Sequence, residues 1–300
     1  MSSYPLPSQD YAARFVLDTL PVHGRLVRLD ETLNAILDAH AYPDAIATLL
    51  GEASVLAVLV GSALKFEGRL IMQAQGQGVV RYVVADFDTR GSLRGFCRYD
   101  PEELAALEAA NEGGFQSLGA QALLGGGTFI MTLEPDGMGD RYQGVTPIEG
   151  ESLSLCAEHY FAQSEQIPTQ IKLAVSREST PDGERWRAGG AMIQAIAGDD
   201  SRGDTREAFE HVRALFATLG EEELTDFELE ADRLLYRLFH EDGVRLSPPK
   251  PIAKLCRCSQ TRVEDLVRSF SVEEQADMVE PDGKVHITCE YCSKTFFVAP

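Results

Sequence analysis

Two close pairs of cysteines near the C-terminal end most constrain what this chain can fold into: Cys256-Arg257-Cys258 and, after thirty intervening residues, Cys289-Glu290-Tyr291-Cys292. In extended chain the side chains at i and i+2 point the same way, so Cys256 and Cys258 can reach one ion together. A CxxC turn does the same for Cys289 and Cys292. Four thiolates complete a tetrahedral shell around one Zn²⁺ per chain and leave no position for a catalytic water, so the site is expected to be structural or regulatory rather than hydrolytic. Between the pairs, Val263, Leu266, Val267 and Phe270 form a helical stripe, Ser271-Val272-Glu273-Glu274 matches a capping box, and Pro281-Asp282-Gly283 marks a turn. Val285 and Ile287 alternate into the CxxC, and Thr295 to Val298 can return as a hairpin partner. A module of about fifty residues buries too little apolar surface to be comfortably stable alone, whereas a structural zinc contributes on the order of 10–16 kcal/mol of apparent binding free energy. Oxidation of the thiolates would remove the ligands and unfold the module.

The competing explanation of such pairs is constitutive disulfides. The N-terminal residues carry neither a basic n-region nor a long apolar segment, and no stretch reaches about 18 uninterrupted apolar residues, so a cytoplasmic chain with reduced thiols is expected. A bond within the CxC pair would be strained, and strained disulfides are readily reduced. Cys97 and Cys156 sit on apolar segments and read as buried, inert thiols. His286 lies beside the site, but four cysteines leave it no vacancy; His23, His40, His159, His211 and His240 show no metal-ligand spacing such as HExxH. A net charge of −20 argues against nucleic acid and anionic membrane as partners, and its self-repulsion favours solubility if apolar surface is exposed. No catalytic residues are assigned and no enzymatic activity is expected.

Upstream the pattern is mixed. Apolar residues from Leu33 to Val60 recur at helical spacing, with Pro43 dividing two helices. Leu70 to Ala74, Val79 to Ala85 and Leu93 to Tyr99 read as a strand meander with turns at Gly76-Gln77-Gly78 and Asp88-Thr89-Arg90-Gly91. Further strands are expected at 128–133, 143–147 and 171–175, and a helix at 152–163. The glycines between 113 and 150 form neither GxxxxGK[ST] nor a complete GxGxxG at a strand-to-helix junction, so turns account for them better than phosphate binding. After a polar break at 198–204, two acidic helices are expected, one through Phe209, Val212, Phe216 and Leu219, the other from Glu221 to His240. Residues 199–250 hold fourteen Asp/Glu against seven Lys/Arg. These read either as ordinary surface helices or as a marginal connector, closed by a stiff hinge at Pro248-Pro249 and Pro251.

At the CxC…CxxC arrangement the chain resembles the 33-kDa heat-shock protein family of redox-regulated bacterial holdase chaperones. The likeness extends through His23-Gly24-Arg25-Leu26-Val27, Leu64-Lys65-Phe66-Glu67-Gly68, Gln73-Ala74-Gln75-Gly76, Arg141-Tyr142-Gln143-Gly144-Val145, Ser164-Glu165-Gln166-Ile167-Pro168-Thr169 and Leu234-Leu235-Tyr236-Arg237-Leu238, and covers nearly the whole chain. It implies an α+β protein with an N-terminal mixed α/β chaperone domain (1–198), a helical metastable linker (199–248) and a small C-terminal zinc-binding, redox-switch domain (249–300). It further implies zinc on Cys256, Cys258, Cys289 and Cys292 in an inactive reduced form. Oxidation would form disulfides Cys256–Cys258 and Cys289–Cys292, release zinc, unfold the linker and promote homodimers that hold unfolded or partly folded clients without ATP. Two other classes remain open: a CxxC thiol-disulfide oxidoreductase, expected at a strand-to-helix junction and without metal, and a constitutive zinc adaptor indifferent to redox state.

Overall fold

The structure, a computed structural model, describes residues 9–111, 118–137, 140–181, 183–196 and 204–299. The chain begins with strands β1 (Tyr11–Leu17) and β2 (Val22–Leu29), followed by helices α1 (Glu31–Leu37) and α2 (Asp44–Gly61). Strands β3 (Gly68–Gly76), β4 (Val80–Asp88) and β5 (Ser92–Tyr99) follow, then α3 (Pro101–Ala110), α4 (Ala120–Leu124), β6 (Gly127–Pro135), β7 (Tyr142–Pro147) and α5 (Leu153–Tyr160), which runs into a π-helical turn at Phe161–Glu165. Strands β8 (Thr169–Thr180) and β9 (Gly183–Ala195) precede α6 (Thr205–Ala217), α7 (Glu221–Thr225) and α8 (Ala231–Phe239). Short strands β10 (Val244–Leu246), β11 (Lys250–Pro251) and β12 (Ala253–Lys254) lead to α9 (Gln260–Arg268), α10 (Val272–Asp277), β13 (Val285–Thr288) and β14 (Thr295–Val298).

Two sheets and a terminal hairpin result, an α+β arrangement. The first sheet runs β10-β1-β2-β9-β8, with β11 also on β1; the second runs β12-β5-β4-β3-β6-β7. The pairings are antiparallel except β12 with β5. The meander expected from 70 to 99 is β3-β4-β5, and β6 adds to its other edge in register Leu70↔Leu133 and Met72↔Met131.

Helix α2 lies between the sheets and is buried around most of its circumference, with Asp44, Thr48 and Glu52 half-buried along one face of its first half, which is why its apolar residues are spread around the helix instead of forming one stripe. It is also the one described helix long and apolar enough to cross a membrane, and 83% of it is buried inside the fold, as a core helix is. A Cβ at Gly61 would stand 2.4 Å from the Phe87 ring, so glycine there permits the closest approach of helix and second sheet. A second apolar cluster forms on the outer face of the first sheet, where Phe15, Leu26 and Ile193 meet Phe209, Val212 and Phe216 of α6, Leu224 of α7 and Leu234, Leu235, Leu238 and Phe239 of α8. Val263, Val267, Val285, Phe296 and Val298 make the small third cluster around the terminal hairpin.

Several expectations change. The helix anticipated from Glu221 to His240 divides into α7 and α8, because the Asp226 carboxylate accepts from the amides of Glu228 (3.0 Å) and Leu229 (3.3 Å) and so stabilises a turn in place of continued helix. Leu229 therefore leaves the helical stripe, and its carbonyl accepts from the buried Arg28 guanidinium at 2.7 Å. The proline segment near 248 is stitched into the fold: β10 and β11 pair with β1, and β12 pairs with β5. Leu266, placed on the buried stripe by its spacing, faces solvent on α9 while Val263 and Val267 are buried. Strands β1, β2 and β9 and helices α3 and α4 had no counterpart in the sequence reading. The polar break at 198–203 and the glycines at 113 and 114 lie outside the described residues.

Candidate metal centre and its docking face

The cysteine pairs sit on two separate connections of the C-terminal segment. Cys256 and Cys258 occupy the link between β12 and α9, whose first turn is capped by the Ser259 hydroxyl accepting from the Arg262 amide. Cys289 and Cys292 close the β13–β14 hairpin, where the amides of Cys292 and Ser293 donate to the Cys289 carbonyl at 3.3 and 2.8 Å. Ser293 takes a positive φ of 55° to complete this turn. The Ser271–Glu274 capping box forms as read, and Thr288 pairs with Thr295 across the hairpin.

All four sulfurs lie within 4.8 Å of one another. The Cys256–Cys258, Cys258–Cys292 and Cys256–Cys289 separations are 3.3, 3.4 and 3.7 Å, and the cysteines are free thiols. A tetrahedral metal with sulfur ligands at about 2.3 Å has S···S edges of about 3.8 Å, so the cluster is close to the size of one such shell. Its electrostatics also fit a cation. Burial opposes the Cys256 thiolate, but the Cys258 amide and the surrounding thiols outweigh burial and bring that thiol down to about 7. Burial first, then the neighbouring sulfurs, pushes Cys258 and Cys289 up. Four thiolates cannot share this space without a compensating positive charge, and a soft dication supplies it. His286 is turned away and meets Asp282 at 2.9 Å.

The residues between the cysteines face a different target. The Arg257 guanidinium donates to Asp86 on β4 at 2.5 Å, and Arg94 on β5 donates to the same carboxylate oxygen at 2.7 and 3.0 Å. Asp86 is 2% exposed, and Arg69 adds a third cation at 3.5 Å. Tyr291 slots into the same patch: the Arg94 guanidinium lies 3.9 Å from its ring centroid and Phe96 meets it edge-on at 4.7 Å. Glu290 approaches Arg98 at 3.8 Å, Ser293 hydrogen-bonds His40 at 3.1 Å, and the Leu255 amide donates to the Leu93 carbonyl at 3.1 Å. Sequence reasoning singled out the four cysteines but not Arg257, Tyr291 or their receptor residues Asp86, Arg94 and Phe96, which lie far away in the chain, 171 positions in the case of Arg257 and Asp86.

The remaining cysteines take no part. Cys97 is buried on β5, and Cys156 on α5 has its sulfur 3.8 Å from the Glu149 carbonyl; burial pushes both thiols up, away from thiolate chemistry. The CxxC closes a hairpin, unlike the strand-to-helix setting expected of an oxidoreductase.

A family model described as Hsp33 protein matches residues 10–299. The chain belongs to the Hsp33 family. Among curated relatives, the 33 kDa chaperonin of Caulobacter vibrioides (strain NA1000 / CB15N) is 58% identical, covering 97% of this chain and 95% of its own length. That of Aeromonas salmonicida is 38% identical over 97% and 92%. The crystal structure of the 33 kDa chaperonin from Thermotoga maritima superposes with a TM-score of 0.78 at 23% identity, over 97% of this chain and 95% of that one, and so shares the fold. Membership of the Hsp33 family makes this chain a chaperone-family protein with a four-cysteine cluster suited to a metal or to redox chemistry.

Proposed function

We propose that this chain is a cytoplasmic, redox-switched holdase, zinc-bound and inactive when reduced, which holds unfolded or partly folded clients without ATP when oxidised. The observation that carries the proposal is the double duty of two short motifs: their cysteines form the four-thiol cluster, while Arg257 and Tyr291 between them dock on β4 and β5. The proposed zinc ligands are Cys256, Cys258, Cys289 and Cys292. Bound zinc would neutralise the thiolates and hold both turns together. The proposed units are a chaperone domain (1–198), a linker (199–248) and a redox-switch domain (249–300).

Oxidation of each pair gives up two electrons, which a peroxide accepts. A thiolate attacks a peroxide to give a sulfenic acid and hydroxide, and the partner thiol then displaces water to form the disulfide. The proposed bonds are Cys256–Cys258 and Cys289–Cys292; the 3.4 Å approach of Cys258 to Cys292 makes a cross-pair bond the rival that peptide mapping distinguishes. Shortening the 3.3 Å Cys256–Cys258 contact to about 2.05 Å, and closing Cys289 onto Cys292, would reshape both turns and withdraw Arg257 and Tyr291 from Asp86 and Arg94. The connector over the first sheet, bounded on one side by this docking, then loosens and uncovers apolar surface. Homodimers of the oxidised form follow from the same exposure.

The test follows client aggregation and zinc together. Reduced protein should carry one zinc per chain and suppress aggregation of a denatured client weakly; peroxide-treated protein should release zinc and suppress it strongly without ATP. Equal suppression by both forms, with zinc measured in each, rejects the switch and leaves a constitutive zinc protein.

A further inference from the structure

Arg25, on β2, is 8% exposed, and its Nη1 has no hydrogen-bond partner. Burial and then Arg14 push this guanidinium down to about 10, and no carboxylate among the described residues acts in the opposite direction. Arg14 stands directly across from it on β1, an arrangement of like charges that costs a sheet stability. His23, two residues earlier on the same face, leaves Nδ1 unpartnered; burial, then Arg25, Arg14 and Lys65, hold it down to about 4. An unpaired buried cation is expensive. In a chain of net charge −20, a cluster of cations with no carboxylate partner among the described residues is the exception that calls for an explanation.

These four side chains border a cleft of about 690 Å³ between the first sheet and strands β3 and β6, just past the last turn of α2. The rest of its wall is largely apolar, with Val60, Leu64, Leu70, Met131, Leu133 and Phe161 prominent. Glu165 is the acidic side chain on this lining, and its carboxylate accepts from the Tyr160 hydroxyl at 3.3 Å. Cations could be placed here to complement the C-terminal end of α2. Its last carbonyls are already satisfied, however: those of Val58, Val60 and Gly61 accept from the amides of Ser62, Ala63 and Leu64, and that of Leu59 accepts from the Ser62 hydroxyl.

We propose that this cleft is a binding site for an organic anion with an apolar body, a fatty carboxylate in kind, whose head pairs with Arg25 and whose chain lies along the apolar wall. Its volume lies within the range of about 300–1,000 Å³ typical of small-molecule sites, and an apolar surround with a few convergent polar groups is their usual composition. Arg14 and Lys65, both exposed, flank the mouth and attract the head group as it arrives. The site is separate from the thiol cluster, which faces β4 and β5.

Titration calorimetry on the reduced, zinc-loaded full chain tests this with decanoate as probe and decanol and decyltrimethylammonium as controls. Decanoate should bind one molecule per chain, at least about tenfold more tightly than either control, and should shift the His23 ring resonances at saturation. Arg25→Met should weaken decanoate about tenfold or more without lowering the melting temperature, since it removes an unpaired buried charge. Should that variant fail to fold, the exposed pair Arg14→Ala and Lys65→Ala should still weaken decanoate about threefold or more. Equal affinity for decanoate and decanol overturns the proposal, as does wild-type affinity in a folded Arg25→Met protein.

Discussion

At Cys256 two opposing influences meet: burial disfavours its thiolate, and the Cys258 amide with the neighbouring thiols favours it enough to bring the group down to about 7. The clustered thiols are thus the ones placed to meet a metal or an oxidant, while burial pushes Cys97 and Cys156 away from ionisation. Cys256→Ser and Cys292→Ser should each lose tight binding of the zinc equivalent, measured by displacement with a chromophoric chelator. The double variant Cys97→Ser, Cys156→Ser should keep both zinc and oxidant activation, at a stability cost of about 1–3 kcal/mol per buried hydroxyl. Failure of a folded double variant to respond to oxidant would reassign the switch. Glu52, on α2, offers a pH test: burial, then Glu221 on α7, raises its carboxyl from 4.5 to about 7. The folded protein therefore holds a proton that the unfolded chain releases earlier, and this contribution to stability is complete below pH 4.5 and lost as pH rises through about 7. Because the side chain is partly accessible, the effect is discounted to about 2 kcal/mol. Glu52→Gln should gain about that much near pH 8 and little near pH 4 in urea denaturation. An equal gain at both pH values would deny the ionisation its role.

Helices α6, α7 and α8, the proposed connector, are held in place by the first sheet. Each is short, and isolated helices under about 12–15 residues are marginal in water, so their order comes from packing. Phe239 is fully buried and stacks on Phe15 at 5.8 Å. Lys172 on β8 donates to the Ala217 and Leu219 carbonyls, both at 2.6 Å, closing the end of α6. A Cβ at Gly189 would come within 2.1 Å of the Leu224 carbonyl, so this glycine lets α7 lie directly on β9. Phe239→Ala should remove about 3–5 kcal/mol of packing. We expect the reduced variant to keep its zinc, to lose hydrogen-exchange protection in α6–α8 while β3 and β4 retain theirs, and to hold clients more strongly than reduced wild type. Retained zinc with unchanged client holding would separate connector order from activity.

On the scale of the whole molecule, the thiol cluster and the second sheet communicate through one buried carboxylate. Asp86 receives Arg257 from the CxC turn and Arg94 from its own sheet, while Tyr291 from the CxxC turn lies against Arg94 and Phe96. Breaking one member of a buried charge pair typically costs about 3–5 kcal/mol, because the other is left uncompensated. Two cations remain near Asp86 here, so we expect Arg257→Met to cost less than that range. Arg257→Met with Tyr291→Ala should bind zinc as wild type yet undock, with faster hydrogen exchange at β12 and in the Leu93 to Tyr99 strand. Its connector should then open at a lower oxidant concentration. Unaltered exchange in this variant would show that the two turns contribute nothing to docking.

The sequence by itself determined whatever depends on short spacing. CxC, CxxC, the Ser271 capping box, the terminal hairpin, the β3-β4-β5 meander and the division of α1 from α2 at Pro43 were legible because each is specified within a few residues by side-chain direction, turn chemistry or a missing amide donor. Tertiary structure decided what spacing could not express. Strand β9 carries Gly183, Gly189 and Gly190, which weaken any strand signal, and it becomes a strand because β2 and β8 flank it and α7 needs the room at Gly189. Helix α3 did carry a local signal, Asp100 capping the amides of Glu102 and Glu103 with Pro101 at the first helical position, and could have been found. Pro248 to Pro251 has the composition of a hinge, yet the open edges of β1 and β5 pair with its neighbours. Arg257 and Tyr291 look like ordinary spacer residues between cysteines. Only folding brings Asp86, Arg94 and Phe96 against them, because a buried carboxylate 171 residues away leaves no trace in local pattern.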